Sequence, residues 1–214
     1  MLKYRLEQSN SCSSQKTNFL MKYYNKQINN MMSSNLSKND TINKYKSLDN
    51  VNVIYGEPCA YELDTLISRL DINENDVFYD LGSGNGNVCA TFLFSTPIKK
   101  SIGIELSSDR HNEAIRIKSE IQKNYSNQLE NKQLEYIHDN FMNYDYANAT
   151  IVFMDSVLFT DKTLHEIENI LIKAPNIEYL ISMKAKYNPI HFKLKETLNI
   201  KATWGKSVIY IYTK

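Results

Sequence analysis

Only three cysteines, Cys12, Cys59 and Cys89, occur in the 214 residues of the chain. An odd and widely scattered set excludes a full disulfide framework and matches no zinc-ligand spacing, so a reducing compartment suits it. The four histidines, His111, His138, His165 and His191, are scattered too and leave no metal motif. No apolar run approaches the roughly 18 residues of a membrane span, and the N-terminus shows no secretory h-region. No internal repeat appears. A formal net charge of +1 argues against a basic field over the whole surface, the footprint of a general nucleic-acid binder.

What charge there is lies unevenly. Residues 1–50 hold eight Lys or Arg against three acids, and the remainder holds seventeen against twenty-one. A basic arm of about +5 on a body of about −4 can touch an acidic partner, or can simply be a solvated tail. The expected organisation is therefore two-part: a polar, basic segment, 1–50, with one helix over Thr17–Met32 and a linker, and a domain over 51–214. A hydrophobic content of 42% supplies that domain with a core.

The chain is organised around Val77–Gly86, which reads Val-Phe-Tyr-Asp-Leu-Gly-Ser-Gly-Asn-Gly. Val77–Leu81 reads as a short buried strand. Gly82, Gly84 and Gly86 then let the backbone turn sharply and approach a ligand without Cβ clashes. Asn87–Phe94 has helix-compatible composition, so the loop opens onto a helix N-terminus. A dinucleotide fingerprint would read G-x-G-x-x-G, with phosphates on that helix end. Here the spacing is G-x-G-x-G, and Asp80 stands two residues before the first glycine. A carboxylate there repels pyrophosphate and attracts the cationic amino group of S-adenosylmethionine. Glu105 ends the next expected strand, Ser101–Leu106, where an acid typically binds both ribose hydroxyls. Together these features favour S-adenosylmethionine over NAD, against the plain alternative of a glycine-rich turn that binds nothing.

The remaining pattern is strand and helix in alternation. Leu63, Leu66, Ile67 and Leu70 form the stripe of a helix, with Pro58 suited to its first turn. A long helix is expected over Asp109–Asn124 behind the N-cap candidates Ser107 and Ser108. Strands follow at Leu134–His138, Thr150–Met154 and Ile177–Met183, with a helix over Thr163–Ala174. Leu194–Thr203 and Ser207–Thr213 then suit an antiparallel hairpin. The predicted fold class is α/β: a Rossmann-like, mainly parallel seven-stranded sheet with helices on both faces and a C-terminal antiparallel hairpin. Asp80, Glu105, Asn140 and Asp155 all fall at expected carboxyl ends of strands, the rim where such sheets bind ligands.

These residues resemble a specific family, the non-SET histone lysine methyltransferases of the disruptor-of-telomeric-silencing (DOT-one) group. The resemblance runs from Ile54 to Lys214. It rests on Tyr55-Gly56-Glu57, the loop Asp80–Gly86, Gly103-Ile-Glu105, Asn140-Phe141, the strand Ile151-Val-Phe-Met, Asp155 to Phe159, and Gly205-Lys206-Ser-Val-Ile-Tyr210. It implies a class I fold, S-adenosyl-L-methionine as donor and lysine in a core histone, H3-like, as acceptor. It implies that Tyr55 and Glu57 fold over the methionine moiety, and that Asp80, Gly82, Gly84, Gly86 and Asn87 form the loop site with Asp80 on the amino group. Glu105 then holds the ribose, and Asn140 with Phe141 the adenine. Phe159 matches an aromatic near the methyl group, and Tyr210 a tyrosine at the lysine channel. Asp155-Ser156 departs from the Asn-Asn pair usual in the family, which puts the acceptor in question more than the donor.

Methyl transfer from a sulfonium needs alignment and an unprotonated amine, but no metal and no protein nucleophile. An aromatic channel lined by Phe159 and Tyr210 would lower a lysine pKa by desolvation. Asp155, the third catalytic candidate, would either favour the charged lysine or accept its proton. Two other readings stay open: a methyltransferase of another protein, a nucleic acid or a small molecule, and a methyltransferase-like binding module with weak catalysis. The expected partners are a protein substrate, histone or nucleosome, with weak nucleic-acid contact through the basic segment and no membrane. The expected location is soluble and intracellular, nuclear for a histone substrate and otherwise cytoplasmic.

Overall fold

A computed structural model of the chain describes residues 58, 60–184, 187–202 and 205–214. The basic segment 1–50, its expected helix, and the site candidates Tyr55 and Glu57 lie outside the described residues.

Strand β1 (Val77–Leu81) lies at the centre of the parallel part of the sheet. It runs parallel to β2 (Lys100–Glu105) on one side and to β4 (Ile151–Met154) on the other. β3 (Gln133–His138) extends the sheet beyond β2, and β5 (Tyr179–Ser182) beyond β4, again in parallel. β6 (Lys193–Ala202) and β7 (Gly205–Thr213) form an antiparallel hairpin. The order across the seven-stranded sheet is β3-β2-β1-β4-β5-β7-β6. The hairpin is the one expected from the sequence. Its second strand, however, inserts between β5 and the first, with Ser182 opposite Tyr210. That carries Tyr210 to the carboxyl end of β5.

Strands buried on both faces read as near-continuous apolar runs, and β4 and β5 are buried throughout. Helices α1 (Ala60–Ile67), α2 (Asn87–Ser95) and α3 (Ser108–Tyr125) cover one face through Leu63, Leu66, Phe92, Ala114 and Ile117. Helix α4 (Asp161–Leu171) covers the other through Leu164, Ile167 and Leu171. Phe78 of β1 stacks on Phe92 of α2 at 3.9 Å between ring centroids, and both are fully buried. Burying each such ring contributes roughly 1.5–3 kcal/mol.

Boundary differences have local causes. α1 ends at Ile67, and i→i+3 bonds from Arg69 and Leu70 tighten the chain there while keeping Leu70 buried. Pro58 makes an isolated antiparallel bridge with Ala202 instead of opening α1. α4 starts at Asp161, before the expected Thr163, because Thr160 accepts the Thr163 N–H at 3.1 Å as its N-cap. The histidines, scattered in sequence, meet in two places. His111 and His138 stack at 5.4 Å, and His165 and His191 both approach the buried carboxylate of Glu168. Among the described residues no His/Cys/Asp/Glu group could hold a metal ion, and no helix is long and apolar enough to cross a membrane.

Candidate functional site

Four parallel strands deliver four polar residues to one rim. Asp80 lies in β1, Glu105 ends β2, Asn140 follows β3, and Asp155 follows β4. The antiparallel β7 adds Tyr210 beside the end of β5. Neighbouring strands are about 4.8 Å apart. Four spacings therefore put Glu105 and Tyr210 roughly 19 Å apart along the rim, with Asp80 and Asp155 between them.

The loop after β1 is built on backbone. Gly82, Gly84 and Gly86 all have left-handed φ, at 86°, 57° and 88°. A β-carbon makes that region costly. The N–H groups of Gly82 and Ser83 both donate to the carbonyl of Ile104, at 2.9 and 3.1 Å. They pull the loop against β2. At Gly103 of β2 a β-carbon would lie 2.5 Å from Ser83 Oγ, so the close approach needs glycine there. Gly86 caps α2 and donates its N–H to Ser83 O at 2.8 Å. Tyr136 of β3 closes the back of the loop, its hydroxyl donating to Gly86 O at 2.8 Å. A β-carbon on Gly86 would lie 2.2 Å from that ring. Gly86→Ala is therefore expected to lose about 2–3 kcal/mol, from the left-handed backbone and from overpacking. The check is a lowered urea midpoint with unchanged slope.

Glu105 is buried, and both its oxygens are engaged. Oε2 accepts the Gly84 N–H at 2.9 Å, and Oε1 accepts the Ser107 N–H at 2.8 Å. Ser107 thus holds the N-cap place of α3 without capping through its side chain. A carboxylate has about four acceptor sites, so each oxygen keeps capacity for a further donor while the two amides fix its orientation. Asp80 is buried too, with the Cys89 thiol 3.9 Å from Oδ2. The thiol is pushed well up, by burial first and then by the Asp80 charge. It stays a neutral, inert group.

The loop fits a polar nucleoside cofactor by two observations. Ser83 Oγ and Asn85 Nδ2 are buried with no hydrogen-bond partner, although such groups are nearly always satisfied. A β-carbon on Gly82 would meet nothing within 4 Å, so the face of the loop there is open. Asn87 is buried at the start of α2, its N–H facing Asn85 Oδ1 at 3.4 Å.

Asn140 accepts the Met142 N–H at 3.0 Å and starts a short 3-10 turn, Phe141–Asn143. Its side chain is partly spent on shaping this turn. Phe141 and Phe159 lie with ring centroids 5.6 Å apart. They come from the loops after β3 and β4 and pack, with Tyr210, against the apolar cluster under α4. Asp155 takes the Val157 N–H, yet burial dominates and raises its pKa to about 7. The family resemblance implies that Phe159 and Tyr210 meet at the acceptor, with Asp155 the third candidate, and the structure has Phe159 and Tyr210 pack against one apolar cluster. It adds residues that sequence reasoning missed: Tyr136, whose only signal was its alternation with Leu134 in β3, and Ser182 and Lys184, which carried none; Ser156 stood out only as part of the Asp155-Ser156 departure.

The family model described as histone methylation protein DOT1 matches residues 32–203. The chain belongs to the DOT1 family. It is 36% identical over 112 residues to the H3 lysine-79-specific histone-lysine N-methyltransferase of Caenorhabditis elegans, a match covering 49% of this chain and 12% of that protein. It is 30% identical over 83 residues to a protein-lysine N-methyltransferase of Saccharolobus islandicus, covering 39% of this chain and 47% of that protein. The DOT1-family chain thus spans less than half the length of either relative. Its fold is that of class I methyltransferases. The RNA methyltransferase of Salinibacter ruber, solved with S-adenosyl-L-homocysteine, superposes with a TM-score of 0.53 at 20% identity, over 72% of this chain and 90% of that one.

Proposed function

We propose that this chain is an S-adenosylmethionine-dependent protein-lysine N-methyltransferase acting on a core histone, H3-like. The observation that carries the reading is the pair of buried carboxylates, Asp80 and Glu105, at adjacent strand ends on either side of a loop of three left-handed glycines, in a chain of the DOT1 family. Asp80 would hold the cationic amino group, and Glu105 the ribose hydroxyls. Asn140 and Phe141 would border the adenine, and Tyr55 and Glu57 would cover the methionine end. When bound, S-adenosylmethionine supplies an electrophilic methyl group on a sulfonium.

The chain's own part is alignment and desolvation. Phe159 and Tyr210 share the apolar face under α4, and an apolar, aromatic surround lowers a lysine pKa by penalising its charged form. An aromatic face near a sulfonium adds roughly 0.5–2 kcal/mol of attraction. The basic segment 1–50, of about +5, offers the acidic surface of a nucleosome a weak contact.

The test is transfer of label from radiolabelled donor to nucleosomes, free histones or total extract. Label on a histone lysine is the expected result, and label on nucleic acid or on nothing would overturn the reading. In Tyr210→Ala, turnover is expected to fall about 100-fold through lost alignment, with donor affinity held within about twofold by calorimetry. Full turnover in that variant would remove Tyr210 from the acceptor channel.

A further inference from the structure

Between β4 and α4, residues Asp155–Thr160 carry two of the three acceptor-side candidates, Asp155 and Phe159, yet they form no regular element. The segment's own backbone contributes a single turn, with the Phe159 N–H donating to Ser156 O at 3.0 Å. Beyond the Val157 N–H on Asp155, the Phe141 ring beside Phe159 and the Thr160 cap of α4, it is tied to the end of β5. Ser156 Oγ and Ser182 Oγ lie 2.6 Å apart, and both serines are fully buried. Ser182 Oγ also accepts the backbone N–H of Lys184 at 3.2 Å. The half-buried ammonium of Lys184 then reaches back across the gap, donating to Phe159 O at 2.8 Å and to Val157 O at 3.5 Å.

This arrangement has a specific consequence. A lysine ammonium is a strongly hydrated point charge, and directing two of its three donors at loop carbonyls withdraws it from water. The bonds it makes are charge-assisted, stronger than those between neutral groups. One of them holds the backbone of Phe159 itself. Ser182 is also the β5 residue opposite Tyr210. One buried hydroxyl thus lies next in line to Tyr210 across the ladder, to Ser156 through its side chain, and to Lys184 through its backbone. The second residue of Asp155-Ser156 is accommodated for the same reason, since its hydroxyl is consumed by Ser182.

We propose that Lys184 is a positioning residue for the acceptor side of methyl transfer. With the Ser156–Ser182 pair, its ammonium fixes the segment bearing Asp155 and Phe159 against the end of β5, in register with Tyr210. The assignment rests on the methyltransferase reading above. A misplacement of about 1 Å at such a site is worth about 100-fold in rate.

Lys184→Met keeps the stem and removes the donors, and Lys184→Arg keeps donors that reach carbonyls. The expected result for Lys184→Met is turnover on the protein acceptor down by about 10- to 100-fold. Donor affinity by calorimetry stays within about twofold, and acceptor KM changes less than kcat. Amide exchange at Phe159 accelerates about tenfold without change at Phe78 or Phe153, and Lys184→Arg restores most of both. Wild-type turnover in Lys184→Met overturns the proposal, whatever the exchange shows. So does a fall in donor affinity that parallels the fall in turnover. A wild-type chain that methylates no protein at all is a different result, for it removes the methyltransferase reading and the proposal with it.

Discussion

Asp80→Ala is expected to weaken S-adenosylmethionine binding by between about 30-fold and about 5,000-fold, because truncating one partner of a buried charge pair costs roughly 2–5 kcal/mol. The carboxylate is almost fully buried at the end of β1, where water cannot replace it. A ligand ammonium brought there without a counter-charge would have to shed its hydration for no return. Asp80→Asn should fall between, since it keeps a hydrogen-bond acceptor and loses the charge. Glu105→Gln should cost less than Asp80→Ala, because the ribose bonds proposed for it would be to neutral hydroxyls. It should also loosen the glycine loop, as Glu105 orients Gly84 and Ser107. Calorimetric titration of donor into each variant, with thermal melts to confirm folding, decides the matter. An Asp80→Ala affinity within twofold of wild type would mean that the amino group is held elsewhere and that the family pattern misassigns this acid.

The glycine loop and the acid before it were legible from sequence because they are local. Asp80 and the three glycines lie within seven residues; the glycines are read from the backbone conformation they permit, and Asp80 from the charge it sets beside it. Glu105 was legible because parallel β-α units bring successive strand ends to one rim. The closure behind the glycine loop and the proposed acceptor side are products of tertiary packing. Tyr136 closes the loop across 50 residues, Ser182 meets Ser156 across 26, and Lys184 reaches Phe159 across 25. No periodicity encodes such meetings. The insertion of β7 between β5 and β6 belongs with them. A hairpin can be read from two β-rich runs, but which of its strands joins the sheet is decided by which exposes the better face to β5. Ile209, Ile211 and Tyr212 of β7 are buried, whereas much of β6 is exposed. The cost of placing Asp155 was likewise invisible, because burial is a property of the folded chain.

That cost sets up a pH-dependent result. Asp155 keeps its proton to about pH 7 in the folded chain, because burial outweighs the Val157 N–H that it accepts. In the unfolded chain it releases the proton near the ordinary value of about 3.9. Between those values the folded state binds more protons than the unfolded one, so stability falls as pH rises from about 4 to about 7 and then levels off. An asparagine side chain in its place cannot ionise and retains an oxygen for the Val157 N–H. Asp155→Asn is therefore expected to match wild type near pH 4 and to exceed it increasingly up to pH 8. About three pKa units at 1.36 kcal/mol each bound the gap at about 4 kcal/mol. Urea midpoints at pH 5 and pH 8 read it out, and equal gaps at both values would show that Asp155 is not held neutral by burial. The same substitution separates two chemical roles. An ionised carboxylate beside the acceptor favours the ammonium form of lysine, which cannot attack the methyl group. On that account the ratio of Asp155→Asn turnover to wild-type turnover rises between pH 6 and pH 8, and we expect this outcome, because Asn is the residue usual at this place in the family. A proton acceptor would do the opposite: the ratio would fall over the same interval, by about 100-fold or more once the wild-type carboxylate is fully ionised.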